Sequence, residues 1–259
     1  VESEITADTV RMRVATVPVK TVPRLEPREI TGAEPTFKSL MEDPLPVLIK
    51  IRDSMKDYNS EAWEKKVKAL SGQERVDAEN ARNRFLNEID RFDEGITILA
   101  DERVPAIVHA FKLMNRVMDR TSKRFKTWRL FQIVFIVSQI RELASREYLE
   151  LRSDDDERVE VLWFAAGGGK TEAFLGLIVW QAFFDRIRGK RNGTSAFVRF
   201  PLRLLTFQQL QRLSVVLCQA ELVRADEGLG GARFSMGYFV GSGVTPNKID
   251  HEDHRIFER

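Results

Sequence analysis

Three glycines followed by lysine and threonine, Gly167 to Thr171, are the residues of this sequence best suited to chemistry. Glycines leave backbone N–H groups uncovered, so polyphosphate oxygens can approach them closely. The Lys170 ammonium would bridge the β and γ phosphates of ATP, and the Thr171 hydroxyl would bind Mg²⁺. Lys170 and Thr171 are therefore the predicted catalytic residues. The residues predicted to bind ATP here are Ala166, Gly167, Gly168, Gly169, Lys170, Thr171 and Glu172.

The residues on either side of the glycines fit a phosphate-binding loop. A β-branched and aromatic segment, 159–164, precedes them, and an apolar helical segment begins at Lys170. The N-terminus of such a helix adds partial positive charge to phosphate binding. Phe164 stands where the strict motif has glycine, so the match is to the looser, helicase-like form. The alternative is a glycine-rich turn that merely joins a strand to a helix.

The elements that must position this loop alternate between strand and helix. Strand patterns occur at 159–164, 195–200 and 234–240, and helical patterns at 170–184 and 203–223. This alternation predicts an α/β fold, with a parallel sheet covered by helices.

The first 150 residues have a different, mainly helical pattern. Six of the nine prolines lie at or before Pro46, and the short apolar segments there indicate an extended arm or an edge hairpin. A helical pattern follows from 46 to 93, and its charged part, 61–91, is typical of a solvated helix face. Two further helices are predicted at 106–118 and 128–148, the second of them buried.

Composition restricts the setting of the protein. The 41 basic and 39 acidic residues nearly cancel, so any nucleic-acid-binding basic surface must be local. The single cysteine, Cys218, excludes an internal disulfide framework and fits a reducing compartment. The sequence opens with no signal peptide, and no apolar run approaches the roughly 20 residues of a membrane span. We therefore predict a cytoplasmic protein that does not enter a membrane.

Sequence motifs on both sides of the glycines add candidate binding residues. Gln132 lies in Trp128-Arg129-Leu130-Phe131-Gln132, 38 residues before Lys170. A glutamine in an Arg-x-x-Gln setting at this remove resembles the adenine-reading glutamine of superfamily 2 helicases, because a carboxamide can donate and accept at once. The alternative is an exposed glutamine at the start of a helix.

Downstream, the segment 198–209 leaves a strand through Pro201 and enters a helix, as in helicase segments that grip a nucleic-acid backbone. A Thr-Pro-x-Lys turn at 245–248 resembles a further backbone-contacting loop. The predicted nucleic-acid-binding residues are Arg203, Thr206, Gln209, Thr245 and Lys248. The alternative is that Gln208 and Gln209 are polar residues of an ordinary helix surface.

Taken in order from 104 to 248, these motifs resemble the large helicase subunit of the bacterial DISARM antiphage system, a superfamily 2 helicase. The resemblance implies a partial RecA-like domain over 151–259, preceded by helices at 101–150 that carry the adenine-reading glutamine. It also implies ATP, single- or double-stranded DNA, and other defence-system subunits as partners. Residues 1–100, the arm and charged helices, lie outside it. Ala165-Ala166 stand where that family often has Pro-Thr.

Hydrolysis of ATP requires a carboxylate pair that the sequence does not supply at a strand end. The acidic run 154–157 is predicted to lie in a solvated loop, and 251–254, with two histidines, in an exposed polar tail. We therefore predict an N-terminal fragment of an ATP-dependent DNA helicase or translocase that hydrolyses little by itself. The alternatives are a phosphate-loop enzyme of another class, such as a kinase or switch ATPase, and a nucleotide-binding interaction module without turnover.

Overall fold

The structure, a computed structural model, describes residues 2–6, 9–13, 30–152, 159–162, 168–199 and 203–238, with the backbone alone for 2–6, 9–13 and 203–206. Two short strands, β1 (Glu2–Thr6) and β2 (Thr9–Arg13), pair antiparallel, which confirms the hairpin alternative for the first residues. The helices are α1 (Phe37–Glu42), α2 (Pro44–Tyr58), α3 (Glu64–Ala69), α4 (Gly72–Leu99), α5 (Pro105–Thr121), α6 (Leu130–Ser145), α7 (Lys170–Ile187) and α8 (Arg203–Asp226). A π-helical turn, Asn59–Trp63, joins α2 to α3, and a 3-10 turn, Leu149–Leu151, follows α6.

Local chemistry fixes where several helices begin. The Thr36 hydroxyl accepts the Ser39 N–H at 3.0 Å and so caps α1. The Asp43 carboxylate accepts the Leu45 N–H at 3.3 Å at the start of α2. Prolines occupy the first position of α2 and α5, where a missing N–H costs nothing. Each of these helix starts therefore follows from sequence signals that lie within a few residues of it.

Helix α5 lies at the centre of the described helices and packs against α1, α4, α7 and α8. Its apolar residues recur every three or four positions, and Ile107, Phe111 and Met114 are fully buried. Trp180 of α7 is also fully buried, and its indole N–H donates to the Ile107 carbonyl oxygen at 3.2 Å. The predicted helix at 106–118 is thus confirmed, and it positions α7.

Helix α6 packs against both α4 and α7. Its residues Ile133, Ile136 and Val137 have no exposed surface, which confirms the predicted buried helix. Gly95 brings α4 so close to α6 that an added Cβ would lie 2.1 Å from the Val137 carbonyl oxygen. The first half of α4 is largely exposed, as its charge predicts.

The predicted RecA-like parallel sheet is wrong for the described part of the chain. Within it, strands occur only in the N-terminal hairpin, apart from an isolated bridge between Thr36 and Thr127. The described parts of the expected strands, 159–162, 195–199 and 234–238, carry no strand ladder. An alternating pattern gives a strand's side-chain period but supplies no neighbouring strand, and β-pairing depends on distant partners. The fold that forms is instead a packing of helices.

Among the described residues, none of the helices combines the length and the apolar character that crossing a membrane requires.

Candidate functional site

Helix α7 begins at the end of the glycine-rich loop. Gly169 takes φ +90°, in the left-handed region that favours glycine, and Lys170 and Thr171 are the first two helical residues. No side chain among the described residues caps this N-terminus. The first N–H groups of a helix have no partner within the helix, so an uncapped first turn is a cluster of donors with partial positive charge.

Two side chains from the start of α6 hold the glycine backbone. The Arg129 guanidinium donates to the Gly168 carbonyl oxygen at 2.8 Å, and the Gln132 amide donates to the Gly169 carbonyl oxygen at 2.8 Å. The Gln132 oxygen in turn accepts the Arg129 N–H at 2.8 Å. Gln132 is buried whereas Arg129 is exposed, so these bonds are only partly shielded from water.

These two hydrogen bonds also orient the N–H groups of the turn. In a trans peptide the C=O and the following N–H point in opposite directions. Since the carbonyls of Gly168 and Gly169 face α6, the N–H groups of Gly169 and Lys170 point away from α6. The turn therefore presents successive N–H groups on one side, the arrangement that binds anions.

Gly169 also has no room for a side chain. A Cβ added there would lie 2.8 Å from the Gln132 amide nitrogen and 3.4 Å from a Glu172 carboxylate oxygen. Both its conformation and its surroundings therefore require glycine at this position.

Buried packing fixes the residues that hold the loop. Trp128, directly before Arg129, is 3% exposed, and its indole N–H donates to the Asn115 side-chain oxygen at 2.8 Å. Its ring meets Phe37 edge-on at 5.2 Å. Opposite, Gly176 of α7 approaches closely enough that an added Cβ would lie 3.0 Å from the Trp128 ring. The start of α6 and the start of α7 are thus fixed relative to one another.

An ion pair joins the first turn of α7 to α8. Arg212 of α8 donates to the Glu172 carboxylate, and both side chains are about two-fifths exposed (40% and 39%). Glu172 was predicted to contact nucleotide. In the structure its described partner is Arg212, so α8 reaches the candidate phosphate site through this contact.

A buried carboxylate stabilises the other end of α7. Asp185 is 3% exposed and accepts from Lys190 Nζ and Ser195 Oγ, both at 2.7 Å, and from Arg188 at 3.2 Å. Burial raises its pKa, but the hydrogen bonds from Lys190, Ser195 and Arg188 outweigh burial and hold the pKa below its usual value. Asp185 therefore anchors the segment that follows α7.

The structure brings together part of the predicted site. Gly168, Gly169, Lys170 and Thr171 lie in one turn beside Gln132, and the roles of these residues in binding ATP and Mg²⁺ stay predictions. The predicted residues Ala166, Gly167, Thr245 and Lys248 lie outside the described residues, as do the side chains of Arg203 and Thr206.

Gln209 lies in α8 with its side-chain oxygen buried and without a hydrogen-bond partner among the described residues. The structure groups no three histidine, cysteine or acidic side chains as a possible metal site over the ranges that it describes. The histidines of 251–254 lie outside those ranges.

Sequence reasoning missed two residues of this site. Arg129 stands three positions before Gln132, the spacing at which a glutamine side chain bonds the N-cap backbone. The sequence could therefore have predicted that Arg129 lies beside Gln132. Its bond to Gly168 required the packing of α6 on α7. Arg212 gave no local signal, because its contact with Glu172 depends on how α7 and α8 pack.

These features define a mainly helical protein in which one helix begins at a glycine turn held by the preceding helix. The chain is 34% identical over 189 residues to the DISARM protein DrmA of Bacillus paralicheniformis. The match covers 62% of this chain and 16% of that relative, so the chain spans well under two thirds of its length. The likeness to a DISARM protein that the motifs predicted is confirmed. No family model matches the chain, and no solved structure matches it.

Proposed function

We propose that the first turn of α7 binds the phosphates of ATP, with Mg²⁺ held by Thr171. The observation that carries this proposal is the start of an 18-residue helix directly after the left-handed Gly169, with no side-chain cap among the described residues. A polyphosphate would accept from the N–H groups that this turn presents. Lys170, at the first helical position, would bring its ammonium to the same oxygens.

The donor set fits Mg-ATP. Mg²⁺ prefers oxygen ligands and keeps several waters. The protein therefore needs to supply only one threonine hydroxyl, and the phosphates of ATP supply the remaining oxygens. Thr171 is the second residue of α7, next to Lys170, and both are partly exposed. When bound, the metal would neutralise charge on the β and γ phosphates.

The bonds from Arg129 and Gln132 support binding by holding the turn in place beforehand. Binding is weakened whenever a loop must be ordered at the moment of contact. Because the Gly168 and Gly169 carbonyls are already bonded to α6, their peptide groups need not reorient when phosphate arrives. Arg129 and Gln132 thus act on the nucleotide through the loop.

The wider function that we propose is that of an ATP-dependent DNA helicase or translocase in antiphage defence, acting with other subunits of its system. The similarity to the DISARM protein DrmA supports the defence role. Because this chain matches 16% of that relative, turnover and movement along DNA are proposed for the full-length protein. The DNA-dependent steps would use Arg203, Thr206 and Gln209 of α8, with Thr245 and Lys248 beyond it.

Nucleotide binding by this chain tests the proposal directly. A fluorescent ATP analogue is titrated in the presence and absence of Mg²⁺. Lys170→Ala should weaken binding by about tenfold or more, because it removes a charge-assisted contact. Thr171→Val should weaken binding only when Mg²⁺ is present. Lys65→Ala, an exposed lysine of α3, serves as the charge-matched control.

Two results would contradict the proposal. Equal affinity of the Lys170→Ala variant and the unaltered chain would show that the turn does not bind phosphate. In the full-length protein, ATP turnover that does not respond to single-stranded DNA would contradict the helicase role but leave nucleotide binding intact.

A further inference from the structure

The loop between α5 and α6, residues 122–127, carries an exposed ring among exposed cations. Phe125 is 56% exposed, and Lys123, Arg124 and Lys126 are exposed beside it. We propose that this 122–127 loop binds single-stranded nucleic acid, with a base stacked on Phe125 and phosphates bound by Lys123 and Arg124. The choice of nucleic acid as partner rests on the proposed function, whereas the place of binding comes from the loop itself.

Charge is concentrated at this loop. Residues 119–129 include five basic residues and one acidic residue, in a chain whose total charge is only +2. The acidic residue, Asp119, is paired with Lys126 at 3.0 Å, and Arg120 is paired with Asp226 of α8 at 2.8 Å, so the excess rests on Lys123 and Arg124. Lys38 of α1 adds a further exposed cation, because the Phe37 N–H bonds the Lys126 carbonyl oxygen at 2.9 Å. A local excess of this kind attracts a polyanion.

The exposed ring favours a nucleic acid over an acidic protein as the partner. Phe125 contrasts with Trp128, three residues later, which is 3% exposed. The Arg124 guanidinium lies 5.3 Å from the centre of the Phe125 ring. An aromatic ring with a neighbouring arginine offers stacking and a cation to the same nucleotide, which is how single strands are bound without sequence preference.

The loop is held in place rather than left to order on binding. The Phe125 N–H donates to the Ser122 hydroxyl at 3.1 Å, within the loop. The Trp128 N–H donates to the Pro35 carbonyl oxygen at 3.0 Å, and Thr127 forms a bridge with Thr36. A surface fixed from both sides loses little conformational entropy when a ligand binds.

The loop also lies near the glycine turn along the chain. Phe125 is four residues before Arg129, whose guanidinium bonds the Gly168 carbonyl oxygen. Four residues of extended chain reach at most about 14 Å. A strand bound at Phe125 would therefore lie within about 14 Å of Arg129, the residue that holds the Gly168 carbonyl of the proposed nucleotide site.

The test measures binding of a labelled thymidine oligonucleotide of about 15 nucleotides to the intact chain by fluorescence anisotropy over a range of salt. Phe125→Ala should weaken binding about tenfold, as expected for loss of one stacked base. Lys123→Gln with Arg124→Gln should weaken binding and lower the slope of log affinity against log salt by about 1.4. The controls are Leu149→Ala, an exposed apolar residue, and Lys65→Gln with Arg84→Gln, exposed cations on α3 and α4.

Binding of the fluorescent ATP analogue is measured on the same variants, and the expected result is no change.

If oligonucleotide binding is intact in both loop variants, the loop is not the binding surface, and the proposed function stands. If Phe125→Ala weakens ATP binding and spares the oligonucleotide, the ring holds the nucleotide base and the proposal is overturned. If only Lys123→Gln with Arg124→Gln weakens oligonucleotide binding, and an acidic peptide competes with the oligonucleotide, the loop is a protein-docking surface and the proposal is overturned. If the unaltered chain binds ATP but no oligonucleotide, this proposal fails, whereas the helicase role proposed for the full-length protein is decided by its response to single-stranded DNA.

Discussion

The side-chain amide of Gln132 donates to the Gly169 carbonyl oxygen at 2.8 Å, while its oxygen accepts the Arg129 N–H at 2.8 Å. Both polar atoms of the residue predicted to read adenine are thus engaged within the protein. A side chain in this position holds the glycine turn. Holding the turn and reading adenine have different consequences for nucleotide selectivity.

Gln132→Ala should weaken the binding of ATP, GTP and inorganic triphosphate by similar factors, because the turn loses one of its two holding bonds. A net hydrogen bond contributes about 1 kcal/mol, or roughly fivefold in affinity. An adenine-reading residue would instead change the ratio of ATP to GTP affinity. Competition titrations with the three ligands separate the outcomes, and Gln139→Ala, also a buried glutamine of α6, is the control.

Gly169→Ala should lower both stability and nucleotide affinity. The left-handed backbone alone costs a non-glycine residue about 1 kcal/mol. The new Cβ would also lie only 2.8 Å from the Gln132 amide nitrogen and would push that side chain away. Gly189→Ala is the matched control, since Gly189 has φ +92° and nothing within 4 Å of an added Cβ. Both variants should have a lower melting temperature, whereas only Gly169→Ala should have a lower affinity for nucleotide. Unchanged affinity at Gly169 would mean that the turn tolerates movement of Gln132.

Gly95→Ala should destabilise the packing of α4 on α6 without touching the candidate site. The added Cβ would lie 2.1 Å from the Val137 carbonyl oxygen, which belongs to the backbone and cannot rotate away. Overpacking of this kind costs about 1–3 kcal/mol or more. Chemical denaturation should give a lower free energy of unfolding for this variant, and Gly230→Ala, with open space around an added Cβ, should match the unaltered chain.

Asp185→Asn should lower the free energy of unfolding by about 2 kcal/mol near neutral pH, since it removes a charged acceptor from four donors, Gln181, Arg188, Lys190 and Ser195. The folded-state pKa of Asp185 is below the unfolded value of about 3.9, so its contribution is present above that value and is lost as pH falls through the folded pKa. The difference between the two proteins should therefore shrink in acid. Asp53→Asn, which changes an exposed ion pair with Arg52, should cost less than about 1 kcal/mol at any pH. A difference at Asp185 that is constant across the acid range would argue against the lowered pKa.

The helices were predictable because their signals are local. The apolar spacing that buries Ile107, Phe111 and Met114 lies within eight residues, and the start of α7 at Lys170 follows from the glycines before it. The sheet was predicted from segments such as 195–200, whose alternation says nothing about a pairing partner. Phe197 is 89% exposed as a result, since no described strand lies beside it.

The site was predictable to the extent that its residues follow one another in the chain. Gly168 to Thr171 could be read as a loop and a helix start, but their contacts with Arg129 and Gln132 join residues 37 to 39 positions apart. Such contacts are decided by the packing of α6 on α7, where Gly176 lies against Ile136 and Trp128. A single sequence shows the residues of that packing without showing that they meet.

The contact between Glu172 and Arg212 makes the first turn of α7 and the helix α8 thermodynamically dependent on one another. Any ligand of the turn that strengthens or weakens this ion pair changes the free energy with which α8 is held. By reciprocity, a ligand that moves α8 must change affinity at the turn by the same factor. Replacing Arg212 would then remove the part of this dependence that the ion pair carries, while the packing of α7 on α8 would keep the rest.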